Sequence, residues 1–320
     1  MIPRDPGELV AQASAGSRTA LARLLTYVES GGDAQRATAA LAYAHPAPYV
    51  VGLTGPPGAG KSTLTDRLIS TALAHGSFDG VDDFDQLAVL CIDPSSPFTG
   101  GAILGDRIRM QDHATNEHVF IRSMATRGHL GGLSLAVPDA LRVLGGAKFR
   151  VVLVETVGVG QMEVEIASAA DTTVVVTNPG WGDSMQANKA GLLEVADIFV
   201  INKADRAGVR ETRRDLEQML DLGGAHEWRP PILETIASTG VGTEELWAAV
   251  IQHRQFLDGG PREERQRAQL RGELDKVLAV VVRSRITELA HGAAYDAQVD
   301  ALVAGTTDPY RAAETLLSES

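Results

Sequence analysis

Residues 49–67 read YVVGLTGPPGAGKSTLTDR, and the fold is decided there. An apolar run falls into glycine and proline, then climbs through Lys61, Ser62 and Thr63 into a helical pattern. The segment GPPGAGKS, Gly55 to Ser62, fits G-x-x-x-x-G-K-[ST] without a mismatch, with a strand before it and a helix after it. Glycines Gly55, Gly58 and Gly60, interleaved with Pro56, Pro57 and Ala59, let backbone N–H groups turn inward as a nest for phosphate oxygens. The helix that follows adds its positive N-terminal end. Lys61 is expected at the β- and γ-phosphates and Ser62 at a Mg²⁺ ion, with Thr63 beside them as a further nucleotide contact.

Working outward, short apolar runs alternate with helical patterns from residue 49 to about 256. YVVGLTG, LAVLCID, HVFIRSM, RVVLVET, DTTVVVTN, DIFVINK and PILETIA read as strands, several apolar throughout as strands buried on both faces are. Helices are expected after the glycine-rich turn, around LSLAVPDALRVL, in ETRRDLEQMLDL and in TEELWAAVIQHRQF. This βαβ alternation predicts a mostly parallel α/β sheet with helices on both faces. Residues 1–46 read as a helical extension with Leu21, Leu24, Leu25 and Val28 on one face. The stretch LDGGPREE marks a boundary, giving a nucleotide domain over 47–258 and a helical region over 259–320. In that last region Leu270, Leu274, Val277, Leu278, Val281, Val282, Ile286 and Leu289 form an apolar face at helical spacing. The pattern fits packing back on the domain and packing on a second copy of the chain equally well.

A formal charge of −12 argues against general nucleic-acid or anionic-membrane binding, both of which need basic surface. No apolar run approaches the ~20 residues of a membrane span, and MIPRDPGELVAQ lacks a basic-then-apolar signal pattern, so a cytoplasmic location is expected. The single cysteine, Cys91, reads as a buried strand residue. Of 29 Lys and Arg residues only five are lysine: Lys61, Lys148, Lys189, Lys203 and Lys276. Two of the five sit inside nucleotide motifs, where Arg and Lys are not interchangeable.

The choice of base comes from IFVINKAD. Asn202, Lys203 and Asp205 follow a strand and emerge at the C-terminal edge of the sheet, where open α/β sheets bind ligands. A carboxylate at Asp205 accepts from guanine N1–H and the exocyclic amine; adenine presents neither, a mismatch worth on the order of 10⁴-fold. Lys203 is expected to lay its stem along the base while Asn202 braces the loops. Further on, Ala237, Ser238 and Thr239 end a strand with backbone N–H groups able to meet guanine O6.

Two segments are expected to sense the γ-phosphate. In RVVLVETVGVGQME, Glu155 is placed for Mg²⁺ contact through water or for orienting the attacking water, and the Gly158 N–H for the γ-phosphate. In CIDPSSPFTGGAILGDRIRM, Asp93 and Asp106 are expected as hard oxygen ligands suited to Mg²⁺, although either also fits a helix cap or a turn. Gln161 is a candidate for orienting the water, and Arg107, Arg109, Arg122 and Arg127 for neutralising charge, although for each arginine taken singly an ordinary surface or ion-pair role is the favoured reading. The catalytic set read from the sequence is thus Lys61, Glu155 and Gln161, and slow intrinsic GTP turnover to GDP is expected.

With these residues in view the chain resembles the MeaB/ArgK family of P-loop GTPases over essentially its whole length. The parts that carry the resemblance are GPPGAGKST, DPSSPFTGGAILGDRIRM, RGHLGGLS, ETVGVGQ, NKAD and ASTG. The resemblance implies a doubly wound P-loop GTPase fold, an N-terminal helical extension and C-terminal helices that pair two subunits, which favours a homodimer. It also implies a chaperone whose GTP cycle gates adenosylcobalamin loading and protection of an acyl-CoA mutase. The segment NPGWGDSMQANK, with Asp183 and Lys189, would couple nucleotide to mutase. Met162-Glu163 and Trp181 depart from the family pattern, and bear on which mutase is served. Two alternatives share the fold. A nickel-inserting GTPase would need a metal cluster, whereas His113, His118 and His129 lack ligand spacing and read as solvated loop residues. An ArgK-type kinase linked to amino-acid transport would ordinarily use ATP, against N-K-x-D.

Overall fold

All seven apolar runs are strands of one sheet, in the order β5-β4-β6-β1-β7-β8-β9, with every neighbouring pair parallel. The strands are β1 (Tyr49–Thr54), β4 (Leu87–Pro94), β5 (Val119–Thr126), β6 (Val151–Thr156), β7 (Thr172–Thr177), β8 (Ile198–Asn202) and β9 (Ile232–Thr235). A two-residue hairpin that the sequence reading missed, β2 (Ser77–Phe78) with β3 (Val81–Asp82), stands apart from the sheet. The computed structural model describes residues 5–78, 81–82, 86–94, 110, 113, 115–126, 132–156, 166, 168–180, 195–222 and 227–318.

The sheet is covered on both faces because successive side chains of each strand point to opposite sides. Tyr49, Val51 and Leu53 of β1 enter a core with Leu64, Leu68 and Ile69 of α4 (Lys61–His75). Trp247 and Val250 of α7 (Thr243–Asp258) complete it, and Cys91 is buried within it as expected. Val50 enters the opposite core, where Val137, Ala140 and Leu144 of α5 (Gly132–Gly146) meet the N-terminal helices α1 (Pro6–Ser14), α2 (Arg18–Ser30) and α3 (Gly32–Ala42). Leu21, Leu24, Leu25 and Val28 are all buried there, so the N-terminal helices serve as part of the covering layer. A smaller core joins Val175, Phe199 and Ile201 to Leu216 and Leu220 of α6 (Val209–Leu222).

The N-terminal edge of the sheet is fastened by buried charge. Arg265 of α8 (Pro261–Leu289) donates to both carboxylate oxygens of Asp197, at 3.0 and 2.8 Å. Asp197 Oδ2 also accepts from Thr173 N at 2.7 Å, and its Oδ1 lies 3.3 Å from His253 Nε2. His253 Nδ1 bonds Thr172 Oγ1 at 2.8 Å, and Thr172 Oγ1 bonds the Tyr49 hydroxyl at 2.5 Å. Burial pushes the His253 imidazolium pKa down to about 4 and raises the carboxyl of Asp171, which accepts from Val50 N at 2.8 Å.

The chain divides into two compact units, Met1–Gln269 and Leu270–Ser320. The second contains most of α8 with α9 (Ala293–Val303) and α10 (Pro309–Ser318), which contact each other. The apolar positions read from the sequence, Leu270, Leu274, Val277, Leu278, Val281, Val282 and Ile286, are 42–65% exposed. Among the described residues no helix is long and apolar enough to cross a membrane.

Candidate functional site

The C-terminal end of β1 lies in the middle of the sheet, flanked by β6 and β7. There the chain leaves the strand at Gly55 with φ +136°; a Cβ at that position would lie 2.0 Å from the carbonyl oxygen of Val176 in β7. Only glycine turns the chain so close to a neighbouring strand. At the other end of the loop Gly60, φ +94°, precedes α4, and a Cβ there would lie 2.4 Å from Asn202 Nδ2.

Lys61 opens α4 with its side chain folded back over the loop. Its Nζ donates to the carbonyls of Gly55 at 2.6 Å and Pro56 at 3.1 Å. Ser62 Oγ donates to Glu155 Oε1 at 2.5 Å. The parallel register explains that meeting: Glu155 of β6 pairs with Leu53 of β1, so its side chain arrives beside the first turn of α4. Both residues are buried, and Thr63 in the same turn is exposed.

Asn202 ends β8 and is 1% exposed. Its Nδ2 donates to Ala59 O at 2.8 Å, while its Oδ1 accepts from Ala237 N and from Thr235 Oγ1, each at 3.1 Å. One amide therefore ties the glycine-rich loop to the end of β8 and to the turn after β9. Lys203 adds a second link, Nζ to Gly58 O at 2.6 Å, from a backbone with φ +59°. Asp205, two residues beyond Lys203, is exposed. Of the three N–H groups expected to face the base, Ala237 N is bonded to Asn202 and Thr239 N to Ile236 O at 3.0 Å. Ser238 N is left as the one without such a bond among the described residues.

Lys61, Ser62, Glu155, Asn202, Lys203 and the 237–239 turn thus converge, although they span almost 180 positions of sequence. Asp93 is the next-to-last residue of β4, its backbone paired to Ala125. Asp106, Gly158, Gln161, Asp183 and Lys189 lie outside the described residues, as do Arg107, Arg109, Arg127, His129, Met162 and Trp181. Thr235 was missed by the sequence reading; the signal was a hydroxyl at a strand end four positions before Thr239. One expectation is corrected. His113 is not solvated: it is 8% exposed, with Nε2 3.2 Å from Ser70 Oγ and 3.1 Å from Asp66 O, and packs against α4. For Arg122 the ion-pair reading holds: it is engaged with Glu29 of α2, a structural tie between the edge strand and the N-terminal helices. Among the described residues no three His, Cys, Asp or Glu side chains converge as a metal cluster would.

A parallel sheet carrying a phosphate-type loop at its central strand, with an N-K-x-D turn hydrogen-bonded to that loop, defines the P-loop guanine-nucleotide switches as a class. The family described as Methylmalonyl Co-A mutase-associated GTPase MeaB matches residues 21–293, and the chain belongs to that family of GTPases. It is 45% identical over 320 residues to a provisionally named GTPase of Pyrococcus abyssi, covering 98% of this chain and 96% of that one. Identity to the GTPase ArgK of Escherichia coli K12 is 37% over 272 residues, covering 82% and 80%. The crystal structure of an LAO/AO transport system kinase superposes with a TM-score of 0.67 at 25% identity, covering 99% of this chain and 98% of the other.

Proposed function

We propose that this GTPase is a nucleotide-gated chaperone for an adenosylcobalamin-dependent acyl-CoA mutase, working in the cytoplasm as a homodimer. The observation that carries the nucleotide half of the reading is the position of Asn202, which bonds the glycine-rich loop and the base-side turn at once. A ligand that filled one of these segments would necessarily be felt by the other. Gly55 to Ser62 hold the phosphates, with the Lys61 ammonium exchanging carbonyl partners for phosphate oxygens. Lys203 and Asp205 take the guanine ring, and Ser238 N–H rather than its two neighbours meets O6.

Ser62 and Glu155 fit Mg²⁺, because their hydroxyl and carboxylate oxygens are hard donors already 2.5 Å apart beside the loop. Asp93 and Asp106 are proposed as further members of that shell, and Gln161 and Gly158 as the groups facing the water and the γ-phosphate. Bound there, Mg²⁺ would neutralise phosphate charge during transfer. The chain's own part is to hold the triphosphate and to position water, so turnover by the isolated protein is slow and a partner accelerates it.

The mutase half rests on the family to which the chain belongs, which is described by its association with methylmalonyl-CoA mutase. Loops held by a γ-phosphate and released on hydrolysis supply the gate, with Asp183 and Lys189 in the coupling segment. The exposed apolar residues of α8 are the proposed contact with the second copy. The test is to mix the purified chain with a candidate mutase and follow complex formation by size exclusion with GDP and with a non-hydrolysable GTP analogue. Nucleotide-dependent co-elution is expected; no complex with methylmalonyl-CoA mutase or its acyl-CoA relatives in either state refutes the chaperone role.

A further inference from the structure

A second cavity, of about 480 Å³, opens at the other edge of the sheet. The strand β1 separates the two sites: Tyr49 at its start lines this cavity, and Thr54 at its end leads into the glycine-rich loop. Six residues of strand put them about 20 Å apart. The volume falls within the range of small-molecule sites, roughly 300–1,000 Å³.

The lining is unusual for a chain of formal charge −12. Lys148, Arg150, Arg254 and Arg262 line the cavity together with His45, and no carboxylate does among the described residues. One acid stands behind the wall. Asp258 accepts from Arg262 Nη1 at 2.8 Å and lies 3.6 Å from Arg254 Nε, so a single carboxylate is shared by two guanidinium groups. Two further acids lie within electrostatic reach: Asp171, which accepts from Val50 N and feels Arg254 and Arg262, and Asp197, which is paired with its own cation, Arg265. Positive charge is left in excess at the cavity.

The guanidinium groups are also held in place. Arg254 is 8% exposed and lies over the rings of Phe78 and Tyr49, at 4.5 and 4.9 Å from their centroids. Arg262 is fixed by Asp258, yet its buried Nε meets no acceptor among the described residues. A buried N–H without a partner costs about 1–3 kcal/mol, and an anion in the cavity would supply one. The opposite wall is equally close-fitted: a Cβ on Gly145 would lie 2.3 Å from Pro46 O, so the end of α5 and the 45–48 connector touch by backbone.

Lys148 adds an independent sign. Among the described residues only two that are not glycine have positive φ, Lys203 at +59° in the nucleotide site and Lys148 at +71° here. At Lys148 that backbone is the left-handed C-cap of α5, with Lys148 N bonded to Gly145 O at 2.9 Å and Phe149 N to Leu144 O at 3.1 Å; glycine is the usual residue there, and a lysine instead sets an ammonium at the cavity rim. Lys148 is also one of only five lysines in the chain.

We infer that this cavity is a second ligand site, built for a small phosphate-bearing anion such as a phosphomonoester. Planar guanidinium forks match phosphate oxygens, and Lys148 and Arg150 at the exposed rim add charge where a dianion enters. The inference does not rest on the nucleotide reading, because no residue is shared between the two sites.

The test uses the full chain saturated with GDP and Mg²⁺ and titrated calorimetrically with ribose 5-phosphate, inorganic phosphate and, as a phosphate-free polyanion, citrate. One equivalent of ribose 5-phosphate is expected to bind, more tightly than citrate and more weakly as salt is raised. Arg262→Gln should weaken it at least tenfold with GDP affinity unchanged. Lys148→Gly, which relaxes the backbone while removing the charge, should weaken it several-fold and serves if Arg262→Gln folds poorly. Lys61→Ala should leave it unaltered, which separates this site from the glycine-rich loop. Absence of saturable uptake of both phosphate probes, uptake indifferent to Arg262→Gln and Lys148→Gly, or citrate binding as tightly as ribose 5-phosphate would each overturn the inference.

Discussion

Replacing Asn202 with alanine removes three hydrogen bonds at once: to Ala59 O, from Ala237 N and from Thr235 Oγ1. The side chain is 1% exposed, so water does not readily replace it. At about 1 kcal/mol for each neutral bond, the expected loss is about 3 kcal/mol of stability. For a chain of this size that corresponds to a fall in Tm of roughly 4–5 °C, measurable by differential scanning calorimetry. Affinity should fall too, because the bound state needs the loop and the base-side turn in register. If about 1.4 kcal/mol of the lost bracing must be recovered on binding, GDP affinity drops about tenfold.

Two companions sharpen the result. Asn202→Asp keeps an acceptor for Ala237 N but sets a carboxylate oxygen against the Ala59 carbonyl, now 2.8 Å from Nδ2, and should be at least as damaging as alanine. Gly60→Ala leaves Asn202 in place chemically but drives a methyl into its amide, 2.4 Å away, and should reproduce both losses. An Asn202→Ala protein within ~0.5 kcal/mol of the parent, binding GDP unchanged, would show that the two segments are not coupled through this residue, and the reasoning for the site would fail.

Other perturbations address the remaining parts. Asp205→Asn alters an exposed side chain and should leave stability within ~0.5 kcal/mol, while nucleotide competition shows guanine preference falling by at least tenfold and xanthine nucleotides gaining. Glu155→Gln preserves the bond from Ser62 but removes the charge; GTP should still bind, with single-turnover hydrolysis slowed on the order of 10²-fold and its Mg²⁺ dependence shifted to higher concentration. His253, held near pKa 4 in the fold against about 6.5 unfolded, binds its proton more readily in the unfolded chain. Stability should therefore fall as pH drops from about 6.5 towards 4, by about 3 kcal/mol from this group. Asp171, raised by burial, acts in the opposite sense, so the contribution of His253 is read as the difference in Tm slope between the parent and His253→Gln.

The sequence was most informative where one physical rule governs a segment. Seven apolar runs bounded by polar turns read as strands, and all seven are; β1, β6, β7 and β8 are buried along their whole length, as strands covered on both faces are. GPPGAGKS and NKAD were legible for a similar reason: a phosphate nest and a base-reading carboxylate each demand particular residues at fixed spacing. What could not be read was anything set by strand order. Glu155 reaches Ser62 only because β6 lies beside β1, and Asn202 reaches Ala59 only because β7 alone separates β8 from β1. Local pattern carries no record of that order. His113 illustrates the failure: its polar neighbours in sequence suggested solvent, whereas a partner 43 positions away on α4 buries it. The carboxylate–imidazole–guanidinium network at the other edge was equally invisible, since Asp197, His253 and Arg265 each look like ordinary surface residues in their own segments.

The two edges of the sheet differ in a way that explains how one domain could be both rigid and responsive. At the N-terminal edge Asp197 is satisfied by Arg265, His253 and the Thr173 amide, all supplied by the fold. A ligand has nothing better to offer a carboxylate already met by a guanidinium, so this edge stays closed whatever is bound. At the C-terminal edge the Lys203 cation donates to the neutral carbonyl of Gly58, and Lys61 donates, among its contacts, to the carbonyls of Gly55 and Pro56. An ammonium gains more from an anionic phosphate oxygen than from a carbonyl dipole, so these bonds are the ones a nucleotide would displace. On the proposed reading the triphosphate therefore works against weak internal partners at one edge while the sheet is clamped by strong ones at the other. The strands that position Glu155 and Asn202 are then expected to keep their places through the nucleotide cycle.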